Sequence, residues 1–303
     1  MKWIKKGLIF NPKNKMSWAK DSALQPVPYF IKEDVIRVYA GFRDEKGVSR
    51  VGFVDLDANN PSNVLEISRK PVLNIGIPGA FDDNGVVPCA VVKNDKKVYM
   101  YYAGYKLGEK VRMTIFSGLA ISEDNGKSFE RYSNVPVFER TNSEVLFRVI
   151  HSIILENGRW RVWYGGGSQF KQGKYKTLPM YDIRYTESED GVHFNRTGKV
   201  ILPTQGQEYR VARPYIIKDA GIYKMFFCAG SENVTYKLGY AESIDGISWI
   251  RKDEELGMEL SKNGWDSLMM AYPSVVKYKD KVYLFYNGNN YGKDGFGYAE
   301  LVK

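Results

Sequence analysis

The fold predicted by this sequence is a five-bladed β-propeller with four antiparallel strands per blade, and three observations predict it. A hairpin unit recurs five times at near-constant spacing. A second pair of strand-like runs follows each hairpin, three of them joined by turns of one related type. The composition suits strands, with 14% aromatic residues including 22 Tyr, and no helix-period pattern of useful length interrupts it.

The clearest copy of the hairpin is PCAVVKNDKKVYMYYAG from Pro88. It recurs as SIILENGRWRVWYGGG from Ser152, PYIIKDAGIYKMFFCAG from Pro214 and PSVVKYKDKVYLFYNG from Pro273. A looser copy, PVPYFIKEDVIRVYAG, begins at Pro26. Each holds a short apolar run, a polar turn with Asp, Asn or Gly, and a second strand with aromatic alternation. The anchors Pro26, Pro88, Ser152, Pro214 and Pro273 are 62, 64, 62 and 59 residues apart. A solenoid uses shorter units and a Greek-key sandwich does not repeat so evenly, so one propeller domain over residues 1–303 is expected.

Third strands read GLAIS from Gly118, IRYTES from Ile183, LGYAES from Leu238 and FGYAEL from Phe296. The first three run into SEDNGKSF, SEDGVHF and SIDGISW, turns in which Asp accepts backbone N–H groups, Gly supplies positive φ and an aromatic packs beneath. These are markers of architecture, and His193 inside one of them reads as structural. The run Trp3–Phe10 is the strand expected to close the ring within the last blade, removing a free edge.

Composition narrows the function. The net charge of +9 is spread along the chain without the dense basic runs of a nucleic-acid binder. The N-terminal Lys2, Lys5, Lys6, Lys13, Lys15 and Lys20 read as a solubilising patch. The N-terminal apolar run is too short for a signal peptide or membrane span, so a cytoplasmic protein without membrane insertion is expected. Cys89 and Cys228 sit in apolar runs and read as buried free thiols. No Gly-rich phosphate loop, Ser/His/Asp constellation or Cys/His metal spacing occurs. No cofactor is expected, although Asp and Asn oxygens in the channel leave room for a calcium ion.

In a propeller the innermost strand of each blade starts near one mouth of the central channel, so the site is read by comparing the segments that lead into the five anchors. These are KDSALQP, FDDNGVVP, SEVLFRVIHS, QEYRVARP and WDSLMMAYP. Each carries a carboxylate ahead of its anchor: Asp21, Asp82 with Asp83, Glu144, Glu208 and Asp266. Immediately before the anchors stand Gln25, Val87, His151, Arg213 and Tyr272, and Arg148 and Arg210 sit four before theirs. A polar ligand at the axis is expected, with a solvated, salt-bridged channel as the plain alternative. Trp18, Phe81, Phe147, Tyr209 and Trp265 flank the same segments, either as sugar-stacking rings or as core.

Through the repeated hairpins and the S-x-D-G-type turns the whole chain resembles the five-bladed propeller glycoside hydrolases, the arabinanase, xylosidase and levansucrase-like group, and is similar to the related mannoside phosphorylases. The resemblance implies a carbohydrate-active enzyme that works with carboxylates from different blades, one ionised and one protonated. For a hydrolase it implies Asp83 as base and Glu144 or Glu208 as acid, while the convergence of the lead-in segments puts Asp21, Gln25, Asp82, Arg148, His151, Arg210, Arg213, Asp266 and Tyr272 around the substrate. The chain departs from that pattern at Gln25, where the family has Asp before the anchoring Pro, and at Ile150, where it has Glu; the Asp-Pro-Arg of the phosphorylases is absent at Pro88.

Three functions stay open on these residues. The simplest is hydrolysis of a sugar or glycan. A non-catalytic sugar-binding propeller fits the departures from the motif. Transfer or phosphorolysis on an anionic sugar, as in surface-polysaccharide assembly, fits the arginines, because a guanidinium fork matches a carboxylate or phosphate.

Overall fold

A computed structural model describes residues 1–194 and 197–302. The chain is all-β apart from a 3-10 turn at Asp253–Glu255 and the short helical turn Asn289–Gly292. No described helix is long and apolar enough to cross a membrane.

The strands pair as successive antiparallel meanders, preceded in the chain by β1 (Trp3–Phe10). The first meander comprises β2 (Asp21–Lys32), β3 (Val35–Arg43), β4 (Ser49–Asp57) and β5 (Asn60–Ile67). The second comprises β6 (Val86–Asn94), β7 (Lys97–Leu107), β8 (Met113–Ser122) and β9 (Glu130–Arg131). The third comprises β10 (Phe147–Glu156), β11 (Arg159–Gln172), β12 (Thr177–Ser188) and β13 (Lys199–Leu202). The fourth comprises β14 (Glu208–Asp219), β15 (Ile222–Ser231), β16 (Lys237–Ser243) and β17 (Ile250–Arg251). In the fifth, β18 (Ala271–Tyr278), β19 (Lys281–Asn287) and β20 (Phe296–Leu301) are completed by β1, which pairs antiparallel with β20 from Trp3↔Leu301 to Phe10↔Phe296. Brief parallel contacts, β8 with β10 and β12 with β14, join the second, third and fourth meanders into one continuous path.

The large apolar clusters lie between meanders. One joins the first and second through Tyr39, Phe53, Met100 and Phe116; another joins the second and third through Tyr101, Leu119, Trp160 and Val162. Trp163 and Ile183 meet Val211 and Phe227 between the third and fourth. Phe226 and Cys228 meet Trp3, Leu284 and Ala299 between the fourth and fifth, and Phe285 and Phe296 meet Ile36 and Val38 between the fifth and first. Strands buried on both faces explain the near-continuous apolar runs, because each sheet is covered by a neighbour on either side.

The turns that lead into the outer strands tie the same neighbours together. Tyr39 donates to the Gly126 carbonyl at 2.6 Å, Tyr101 to Gly191 at 2.7 Å and Trp163 to Gly246 at 2.8 Å, each reaching from one meander into the turn of the next. Tyr283 of the fifth donates to Ala58 of the first at 2.9 Å. Between the fourth and fifth, where the chain ends meet, Trp3 packs edge-on against Phe226 and the Met1 amino group donates to the Glu255 carbonyl. The expected role of Trp3–Phe10 as the last meander's outer strand is met.

Candidate functional site

Every inner strand is broken at the same point. Register shifts fall between Leu24 and Val27, Pro88 and Ala90, Ile150 and Ser152, Ala212 and Tyr215, and Ala271 and Ser274. Gln25, Arg213 and Tyr272, each followed by Pro, are held at φ of 55°, 56° and 58°. Left-handed backbone is unfavourable for such residues and occurs where surrounding structure enforces it. A bulge bends a strand and re-aims a side chain. Here five bulges bring Gln25, Cys89, His151, Arg213 and Tyr272 to the inner face, one from each meander.

These residues interlock. Arg213 Nη1 donates to the Cys89 carbonyl at 2.6 Å and to the His151 carbonyl at 3.2 Å, and Cys89 Sγ lies 3.5 Å from Gln25 Oε1. Asn287 accepts from the Gln25 N–H at 2.8 Å and fixes that bulge. Above them is a partly open pocket of about 70 Å³. Gln25, His151, Arg213 and Tyr272 line it, with Tyr105, Phe147, Tyr181 and Tyr236 among its walls. The Tyr181 and Tyr236 hydroxyls share a hydrogen bond of 2.5 Å, and Tyr236 meets Tyr272 edge-on. Gly165 packs beside the imidazole, where an added Cβ would meet His151 Nε2 at 3.4 Å, an ordinary contact distance. Tyr181 also lines an adjoining polar hollow with Ser168, Gln169, Asp182, Arg184, Thr204 and Tyr209.

Burial sets the electrostatics. It pushes the His151 imidazole well below its ordinary pKa of 6.5, and the nearby Arg213 charge acts in the same direction. Burial lifts the Cys89 thiol to about 11, leaving it a neutral, unreactive group. Arg213 is drawn below the usual arginine value by desolvation. Among the described residues no group of three or more His, Cys, Asp or Glu stands together as a metal site. A calcium ion does not fit this pocket, whose lining includes a guanidinium and no carboxylate.

The carboxylates expected at the axis lie elsewhere. Asp82 is fully buried, accepting from Arg131 Nε at 2.9 Å and Tyr102 at 3.0 Å. Glu144 is equally buried, 3.1 Å from Arg148 and 3.3 Å from Arg184. Glu208 is gripped by both terminal nitrogens of Arg251, at 2.9 and 2.5 Å, and Asp266 takes Lys5 at 2.8 Å and Tyr286 at 3.0 Å. Asp83 accepts the Gly79 N–H at 2.8 Å, and Asp21 the Ser22 hydroxyl at 2.8 Å. None of these six lines the axial pocket. The reason is distance along the chain. A carboxylate four to seven residues before the bulge residue can stand up to roughly 13–24 Å from it along the chain. It therefore falls beside the outer strands of its own meander, where Arg131 (β9), Arg251 (β17) and Lys5 (β1) meet it.

Arg148 and Arg210 are also displaced from the axis. Each precedes its bulge residue by three, an odd step that turns the side chain to the other face of the strand. Arg148 stacks 3.6 Å from the Phe138 ring centre and donates to the Glu139 carbonyl at 2.6 Å. Arg210 stacks 3.8 Å from Tyr236 and donates to the Thr235 carbonyl at 2.8 Å. Val87 is buried core, and its place at the axis is taken by Cys89. Of the flanking aromatics only Phe147 reaches the pocket; Trp18, Phe81 and Trp265 pack on Phe42, Tyr102 and Tyr286, and Tyr209 lines the adjoining hollow. Tyr105 comes from the end of β7, whereas Ile115, Tyr181 and Tyr236 share one repeat position outside the lead-in segments, seven residues before Ser122, Ser188 and Ser243.

Comparison with known proteins places this fold. The chain superposes on a structure described as a glycoside hydrolase with a TM-score of 0.75 at 17% identity, covering 99% of this chain and 91% of that one. A thermostable family-43 glycoside hydrolase matches at a TM-score of 0.65 and 18% identity, covering 93% and 89%. The GH43_1 enzyme from Xanthomonas citri, complexed with xylose, matches at 0.64 and 12%, covering 93% and 86%. The fold is that of the β-propeller glycoside hydrolases, as the sequence resemblance implies. No protein-family model matches the chain. It is 35% identical over 302 residues to Uncharacterized protein Rv1502 of Mycobacterium tuberculosis (strain ATCC 25618 / H37Rv), covering 99% of each, and 35% identical to Uncharacterized protein MT1551 of strain CDC 1551 / Oshkosh over the same span. The chain belongs to the family of these two mycobacterial proteins.

Proposed function

We propose that this chain is a carbohydrate-active protein, a single five-bladed propeller whose blades are the five meanders, and that its axial pocket takes one residue of a glycan. The observation that carries the reading is the pocket itself. Five bulges, three of them with left-handed backbone, converge on a polar floor, and four aromatic side chains wall it, an arrangement suited to packing against a sugar ring while polar groups fix its orientation. The adjoining hollow past Tyr181 gives a second sugar residue a place to lie.

The geometry favours recognition, or transfer from an activated sugar, over hydrolysis by a carboxylate pair. Such hydrolysis needs two carboxyl groups flanking one bond at roughly 5–9.5 Å. Here Asp82, Glu144, Glu208 and Asp266 are held in ion pairs away from the pocket. One observation supports the hydrolytic reading instead. Asp83 has no cationic partner among the described residues, and its Oδ1 is buried without a hydrogen bond. That leaves it the carboxylate most available to act as a base.

The test is calorimetric titration of the protein with a panel of neutral and acidic mono- and oligosaccharides, beside an assay for reducing-end release. Saccharide binding that weakens about tenfold or more in Tyr181→Ala supports the axial site. Reducing-end release abolished by Asp83→Asn would establish the hydrolytic alternative. Failure of every saccharide to bind or turn over refutes the carbohydrate reading.

A further inference from the structure

Arg213 differs from the other deeply buried arginines in what it lacks. Arg37 is paired with Asp55 through two hydrogen bonds, at 2.7 and 2.8 Å, and Arg148 with Glu144 at 3.1 Å. Arg210 has aromatic rings around its guanidinium, with Tyr236, Tyr209 and Tyr291 at 3.8, 4.9 and 5.8 Å. Arg213 is 1% exposed, lines the pocket and has no carboxylate partner among the described residues. Both its hydrogen bonds leave from Nη1. Nε and Nη2 are buried without any partner, as is Nδ1 of His151 in the same pocket lining.

The unused atoms are chemically specific. Nε–H and the adjacent Nη2–H form the side-on fork of a guanidinium, two parallel donors spaced to meet two oxygens of a carboxylate or phosphate. A buried guanidinium cannot shed its proton, and leaving it without a counter-charge is costly. A neutral imidazole adds one more donor when Nδ1 carries the hydrogen. The pocket is small, about 70 Å³, so it suits a substituent of the sugar with the ring held above it by the tyrosines.

We propose that Arg213 and His151 form an oxyanion subsite, which takes the carboxylate of a uronic acid or the phosphate of a sugar phosphate; this rests on the axial pocket being a carbohydrate site. The ligand brings the negative charge that the protein leaves out at its axis. Arg148 and Arg210, turned to the other faces of their strands, take no part.

The experiment compares hexuronates, hexose 6-phosphates and the matching neutral hexoses by calorimetry on the wild-type protein, with inorganic phosphate as the sugar-free probe. An acidic sugar should bind about 100-fold more tightly than its neutral counterpart, the equivalent of two charge-assisted hydrogen bonds. Preference for hexuronates identifies a carboxylate, and preference for the 6-phosphates a phosphate. Arg213→Met should lose that preference while its melting temperature without ligand stays level or rises, because a buried charge without a counter-ion has been removed. The wild-type comparison stands even if this variant fails to fold. Neutral sugars bound as tightly as acidic ones would overturn the subsite and leave the carbohydrate reading intact. Inorganic phosphate bound as tightly as the sugar phosphates would overturn a sugar-borne anion. Failure of all sugars overturns both proposals.

Discussion

Replacing Asp82 by Asn removes one buried charge and changes almost nothing in shape, so it measures what the lead-in carboxylates do. Asp82 is the only carboxylate paired with Arg131 among the described residues, at 2.8 Å. Arg131 otherwise donates to the Asn74 carbonyl at 2.7 Å and lies over the Tyr102 ring. Breaking a buried ion pair from one side costs about 3–5 kcal/mol, and the 17% exposure of the Arg131 side chain places this case at the lower end, about 3 kcal/mol. An unfolding entropy of about 2.1 cal/mol/K per residue over 303 residues converts that to a fall of about 5 °C in Tm. The assay is thermal unfolding of Asp82→Asn, Arg131→Met and the double variant. A structural pair gives a coupling of about 2 kcal/mol, with the double variant less damaged than the sum of the two singles. Tm changes under 1 °C in both single variants would refute the reasoning and leave Asp82 available for ligand or chemistry.

Two further outcomes follow from the axial pocket and from the packing of the fourth meander on the fifth. His151 is held neutral in the fold, whereas in the unfolded chain it titrates near 6.5. Its contribution to stability is present above pH 6.5 and is lost as pH falls from there towards the lower folded value. Between pH 7.5 and 5.0 the wild type should lose about 2 kcal/mol, roughly 3 °C, more than His151→Gln; equal losses would show that the imidazole is not held neutral. Trp3→Ala should cost about 3–5 kcal/mol, because it empties the contact with Phe226 where the fourth and fifth meanders meet. A melting curve within 1 °C of wild type would mean that Trp3 does not hold these two meanders together.

Much of the architecture was legible because it repeats. The five hairpins and the Asp-Gly turns are local patterns, and strand pairing within a meander follows from them. Gln25, His151, Arg213 and Tyr272 were legible for the same reason, since each stands just before an anchor and the bulge falls there. In the second meander the shift falls after the anchor, between Pro88 and Ala90, so proline marked the wrong neighbour and Cys89 was missed. The lead-in carboxylates also recur, but recurrence reflects a shared structural need, the pairing of each with a cation, as readily as a shared ligand. Arg148 and Arg210 turn on the parity of a strand interrupted by a bulge, which spacing alone does not reveal. Tyr181 and Tyr236 recur at one position of the third-strand repeat, where the second meander has Ile115, and were missed because only the lead-in segments were compared; Tyr105 carries no such mark.

The pairing of β1 with β20 sets the order of events during synthesis. Trp3 leaves the ribosome almost three hundred residues ahead of Leu301, its partner in the finished sheet. Until then the first meander lacks its neighbour on one side, and Phe10, Ile36 and Val38 wait with an apolar face uncovered. The loop this pairing closes runs from Trp3 to Leu301, far longer than that of any hairpin within a meander. β20 has to be synthesised before β1 can find its partner, and the nascent chain spends that interval with β1 still unpaired.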